Sequence, residues 1–201
     1  MKKLIVFSLL GLIALMPGIS LSKDLDAGFY FDRGNSYFNN EEYGEAIKAY
    51  SQAISAYPDF ADAYQNRGLA YYKTGKNQEA IADFSKVIAK KPENVQVYNS
   101  RALAYLKTGQ YNEAIADYSK VISMTPNFAD AYHNRGIAYS NAGQYDEAIE
   151  DYNKAISMKP KEKNFFMSRG VAYARKAMAD FGRACDAGSQ AACDNLKQLS
   201  K

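Results

Sequence analysis

The residues of this chain with chemistry to offer are few: two cysteines, one histidine, and a ladder of arginines against a shorter ladder of aspartates. Cys185 and Cys193 are the only thiols among 201 residues, and His133 is the only imidazole. A structural zinc wants four ligands, so two thiols and a remote histidine are too few. The cysteines are left with a disulfide, or with burial as two small hydrophobes. Arg33, Arg67, Arg101, Arg135 and Arg169 recur every 34 residues, which suits an anion-binding ladder or a set of structural ion pairs. Asp83, Asp117 and Asp151 recur at the same interval. They favour ion pairing, expected as Asp83–Arg101, Asp117–Arg135 and Asp151–Arg169. The sequence carries no phosphate-cradling glycine loop, no HExxH and no nucleophile elbow. One histidine without a thiol or carboxylate cluster beside it leaves little for acid–base work. The expectation is no enzyme, no cofactor and no metal.

The elements that position these residues repeat with them. "YQNRGLAYYKTGKNQEAI", from Tyr64, returns as "YNSRALAYLKTGQYNEAI" from Tyr98 and "YHNRGIAYSNAGQYDEAI" from Tyr132. With units numbered from Ala27, Ala61, Val95, Ala129 and Lys163, position 4 is Tyr30, Tyr64, Tyr98, Tyr132 and Phe166. Position 8 is Gly34, Gly68, Ala102, Gly136 and Gly170, and position 11 is tyrosine throughout. Spacings of four and three place these on one face of a first helix. Ala at position 20 and Tyr or Phe at position 24 mark a second helix. Gly75, Gly109 and Gly143 stop the first helix, and Pro58, Pro92, Pro126 and Pro160 end the second. Small residues at positions 8 and 20 let the two helices approach closely. One such pair cannot bury its apolar face alone, so the units must stack. The expected fold is all-α, a right-handed superhelical solenoid of antiparallel helix pairs. Fifteen of the seventeen tyrosines fall at positions 4, 11, 17 or 24, so the aromatic richness reads as core filling.

This pattern resembles the tetratricopeptide repeat (TPR) family, whose unit also carries aromatic, small and proline positions at a period of 34. Tyr or Phe stands where the family has Trp at position 4, and Arg where it has Leu at position 7. The resemblance implies four units, over residues 27–60, 61–94, 95–128 and 129–162. It also implies a concave groove lined by the first helices. Its candidate residues are Phe31, Asn35 and Phe38; Gln65, Leu69, Tyr72 and Lys73; Asn99, Leu103, Leu106 and Lys107; and His133 and Ile137. The same positions continue as Ser140 and Asn141, then Met167, Val171 and Arg175 in a fifth unit. An apolar strip edged by amides and cations suits an extended peptide or a partner helix. The family's chaperone-binding members clamp a terminal carboxylate with a fixed set of Lys, Asn and Arg. That set is not reproduced here, with Phe31 and Ser100 at two of its positions.

Residues 163–201 read as a degenerate fifth unit and a capping helix. Tyr139 to Tyr152 spans 13 residues, whereas Tyr173 to Phe181 spans 8. The five residues lost include the glycine of the turn, which leaves either one helix or a very tight turn. Gly188 and Ser189 mark a helix stop and an N-cap before a short amphipathic helix. Cys185 and Cys193 face each other across that turn. Their C-x7-C spacing resembles the Sel1-like repeats of secreted bacterial proteins, which implies a cross-link. It also brings the alternative function of a cell-envelope glycan- or penicillin-interacting protein, or a hydrolase.

At the N-terminus, Lys2 and Lys3 precede an uncharged apolar run from Leu4 to Met16, then Pro17, Gly18 and small residues at Ser20 and Ser22. That is the layout of a signal peptide over residues 1–22. As a helix the run rises about 20 Å, short of the roughly 30 Å hydrocarbon core, so a retained inner-membrane anchor is the lesser alternative. The expected location is periplasmic or secreted, with no stable membrane insertion after cleavage. Cleavage removes two lysines and takes the net charge from +3 to +1. A nearly neutral chain gives no electrostatic reason to expect nucleic acid. Protein or peptide is the expected partner.

Overall fold

A computed structural model describes residues 21–199; the segment read as a signal peptide lies, over residues 1–20, outside them. Among the described residues are ten α-helices and no strand: α1 (Leu21–Asn39), α2 (Tyr43–Ala56), α3 (Ala61–Lys73), α4 (Asn77–Lys90), α5 (Val95–Thr108), α6 (Tyr111–Met124), α7 (Ala129–Asn141), α8 (Tyr145–Met158), α9 (Lys163–Asp186) and α10 (Gln190–Leu199). Each helix packs on its neighbours in sequence, and each odd helix from α1 to α9 also touches the next odd one. The result is a solenoid of antiparallel pairs whose inner layer is formed by the odd helices.

Local chemistry sets the corners. Gly75, Gly109 and Gly143 hold left-handed φ angles of 77°, 75° and 80° between the helices of their pairs. In the first pair Glu41 takes that role at φ 62°, a conformation that costs a side-chain-bearing residue roughly 1 kcal/mol. The helices α2, α4, α6 and α8 each end two residues before a proline. The intervening Tyr57, Lys91, Thr125 and Lys159 are driven out of helical geometry, with φ between −130° and −137°.

Close approach sets the pairs. A Cβ added at Gly34 would lie 2.5 Å from the Tyr50 ring, and at Gly68 or Gly136 it would lie 2.7 Å from Phe84 or Tyr152. Position 8 is thus a notch that seats the position-24 aromatic. Tyr50, Phe84, Tyr118 and Tyr152 are buried there, with Ala46, Ala80, Ala114 and Ala148 beside them. Position 10 adds a second small stripe, Ala70, Ala104, Ala138 and Ala172, all fully buried.

The fifth unit resolves to one continuous helix, α9, rather than a tight turn. It then stops at Gly188, whose φ is 97°. Ser189 caps α10, its Oγ accepting from the Ala192 amide at 3.4 Å. Cys185 and Cys193 are joined by a disulfide with their Cα atoms 4.7 Å apart.

Candidate functional site: the inner face of the odd helices

The arginine ladder is held inside the structure. Arg67 donates from Nε and Nη2 to the Asp83 carboxylate at 2.7 and 2.8 Å, and from Nη1 to Ser51 Oγ at 2.9 Å. Arg101 makes the same three bonds to Asp117 and Ser85, and Arg135 to Asp151 and Ser119. Ion pairing was the expected use, but the expected partners are corrected by one unit. The pairs are Arg67–Asp83, Arg101–Asp117 and Arg135–Asp151, within one helix pair rather than between neighbours. The antiparallel hairpin sets position 7 directly across from position 23. What reaches the preceding pair is the third nitrogen, and its target is the position-25 hydroxyl. Ser51, Ser85 and Ser119 recur at the 34-residue period, and that recurrence was the overlooked signal. Each guanidinium also lies over two tyrosine rings, those of Tyr98 and Tyr105 for Arg101. The Asp117 carboxylate holds Arg101 above the ordinary arginine pKa.

The ends of the ladder differ. Arg33 has no aspartate opposite it and donates to the Tyr37 hydroxyl at 3.0 Å. Arg169 donates to Asn153 at 2.6 Å.

Of the groove residues, several are tied into packing within and between units. Phe31 stacks on Phe60 at 4.7 Å and against Tyr50 at 5.9 Å. Asn35 Oδ1 accepts from the Tyr50 hydroxyl and from Asn66 Nδ2, both at 2.9 Å. Gln65 Oε1 accepts from Asn94 Nδ2 at 3.1 Å. Phe38, Leu69, Tyr72, Leu106 and Ile137 are half-buried against the core clusters. His133 lies 4.6 Å from the Phe165 ring and 5.6 Å from Tyr152, with Nε2 2.9 Å from Ser168 Oγ. Burial pushes its pKa below the usual imidazole value. Asn99 and Leu103 are half-buried on α5, whereas Lys73 and Lys107 are exposed at the ends of α3 and α5.

The inner face opens where α7 meets α9. A hollow of about 180 Å³ is lined by Ile137, Ser140, Asn141, Tyr152, Met167, Ser168, Val171 and Arg175. Met167 and Val171 are 63% and 46% exposed, an apolar pair left in solvent. Arg175 sits at the rim, 3.0 Å from Asn141 Oδ1. Small-molecule sites run to about 300–1,000 Å³, so this hollow is the size for a side chain rather than a cofactor. No group of three metal-ligating side chains occurs among the described residues, and no described helix is long and apolar enough to cross a membrane.

Comparison with known families agrees with this geometry. Models described as "Tetratricopeptide repeat" match residues 31–95, 84–116 and 129–162, and one described as "TPR repeat" matches 104–143. The chain belongs to the tetratricopeptide repeat family. No curated protein matches it. Among solved structures, a crystal structure of the MamA protein is 26% identical, with a TM-score of 0.72, covering 87% of this chain and 90% of that one. A MamA fragment from Desulfovibrio magneticus RS-1 has the same TM-score at 22% identity, covering 87% and 95%; that likeness is one of fold. The first TPR of Spaghetti (RPAP3), bound to an HSP90 peptide, is 26% identical with a TM-score of 0.56, covering 60% of this chain and 95% of that one.

Proposed function

We propose that this TPR protein is an exported scaffold that holds an extended segment of a partner protein along its inner face. The single observation that carries the reading is the hollow between α7 and α9, with Met167 and Val171 exposed beside it and Arg175 at its rim. An apolar side chain of the partner fills the hollow, and a backbone carbonyl or carboxylate of the partner accepts from Arg175. Asn99, Leu103 and Lys107 extend the same strip along α5. The likeness to a TPR bound to a peptide supports protein interaction as the class of function. Phe31 and Ser100 differ from the carboxylate-clamping set, so the proposed ligand is not a chaperone tail. Export rests on the N-terminal pattern, and the disulfide is compatible with it.

The test is photo-crosslinking in the native host. A crosslinker at Met167 or Leu103 is expected to capture one protein species, and a crosslinker at Glu150, exposed on α8, is not. Capture of glycan from the inner face, or equal capture from Glu150, overturns the reading.

A further inference from the structure

In the fifth unit the notch is kept and its occupant is missing. Gly170 stands where Gly34, Gly68 and Gly136 seat an aromatic ring, yet nothing lies within 4 Å of a Cβ built on it. Phe166 and Tyr173, one turn to either side, are 44% and 52% exposed, although tyrosines at these positions are half-buried or buried in the complete units. Arg169 has no carboxylate of the kind that Arg67, Arg101 and Arg135 each hold. The α9 surface is therefore the first-helix half of a unit without its second helix.

The missing half is nevertheless written in the chain. "KAMADF", from Lys176 to Phe181, repeats "EAIADF" from Glu79 and "EAIADY" from Glu113. Ala177, Asp180 and Phe181 stand at positions 20, 23 and 24. Loss of the five-residue turn makes this segment continue α9 instead of folding back, so Phe181 cannot reach its own Gly170. Asp180 pairs only locally, with Arg183 one turn on, and is exposed. The spacings from Phe166 through Gly170, Tyr173, Ala177 and Phe181 to Ala184 are all three or four residues, so both halves lie on one face of a single helix.

We infer that two copies of this chain pair through antiparallel α9 helices, each supplying the second-helix half that the other lacks. Phe181 of each copy seats on Gly170 of the other, Asp180 accepts from Arg169 of the other, and Tyr173 meets Ala177 across the two-fold axis. The contact is isologous, because residues near 166 and 184 exchange places under the rotation. A shortened hinge that forbids intramolecular closure and leaves both halves intact is the condition for exchange between protomers. The second half of α9 carries α10 with it, so each array continues into the end cap of its partner.

Sedimentation of the full chain, with its disulfide intact, tests this. The expected result is a dimer at micromolar concentration. Gly170→Tyr fills the notch and is expected to give a folded single copy, because no neighbour crowds that site within one chain. Arg169→Asp and Asp180→Arg are each expected to weaken the dimer at least tenfold, and the double variant to restore it. Inserting Ala-Gly-Gln-Tyr-Asp after Arg175 replaces the lost turn and is expected to yield a single copy with a closed fifth unit. A wild-type chain that sediments as one copy at those concentrations overturns the inference. A dimer that survives both Gly170→Tyr and the insertion overturns it as well.

Discussion

The Tyr118 hydroxyl is fully buried with no hydrogen-bond partner. In the first unit the equivalent Tyr50 hydroxyl donates to Asn35 at position 9; in the third, position 9 is Leu103, which offers no acceptor. Burial drives the Tyr118 pKa far above the ordinary phenol value. Removing an unpaired buried hydroxyl removes its desolvation cost, about 1–3 kcal/mol. Tyr118→Phe is therefore expected to leave stability unchanged or raise it by about 1 kcal/mol, read from chemical denaturation; Phe84 already fills the same position in the second unit. A loss above about 1 kcal/mol would show that the hydroxyl has a partner. His133 gives the second residue-scale expectation. Its folded pKa is lowered by burial, so the unfolded chain binds the proton first. Stability is whole above the unfolded value near about 6.5 and falls as pH drops through it. Melting temperature should decline between neutral and mildly acid pH more steeply in the native chain than in His133→Gln, which carries the residue of Gln65. Parallel curves would refute this.

Between helices, the corner residue decides the cost of each pair. Three corners use glycine and one uses Glu41, all at similar positive φ. Glu41→Gly is expected to stabilise the chain by about 0.5–1 kcal/mol, since glycine takes this region without a Cβ clash. A thermal melt beside the native chain checks it, and a destabilised variant would mean that the Glu41 side chain makes a compensating contact. The same reasoning explains why the fifth unit does not close. With no residue left to turn at a left-handed φ, α9 runs on for 24 residues.

At the level of the whole molecule, helix contacts among the described residues run only within a helix pair or between adjacent pairs, so local damage stays local. Breaking the disulfide tests this. Cys185→Ser with Cys193→Ser removes a constraint on a short loop, about 2–3 kcal/mol, but only at the end of the array. Amide exchange in α10 and the second half of α9 should speed up, while α3 to α8 keep their protection. Uniform loss of protection along the chain would mean that the solenoid folds as one cooperative block.

The helices, the corners at Gly75, Gly109 and Gly143 and the stacked-pair architecture were legible in the residues themselves, because a helix face is written at spacings of three and four and a corner at a glycine or proline; the corner at Glu41, which carries neither, was not. The aromatic and small positions were legible as two packed faces with room for close approach; that the position-24 ring seats on the notch at position 8 came from the packed structure. The arginine pairs were half legible. Residue types and period predicted ion pairs, but the unit supplying each aspartate depends on how two hairpins slide past each other, and only the packed structure fixes that. The inner face was legible as a list of positions and not as a surface. Phe31, Asn35 and His133 share those positions with Leu103 and Met167, yet the first three are spent on contacts with neighbouring helices and Met167 is left open. Burial depends on what the next unit presents. The fate of the fifth unit turned likewise on three dimensions: a deletion of five residues permits a turn or a helix on paper, and the continuous α9 places Gly170 and Phe181 on one face, where they cannot meet within one chain.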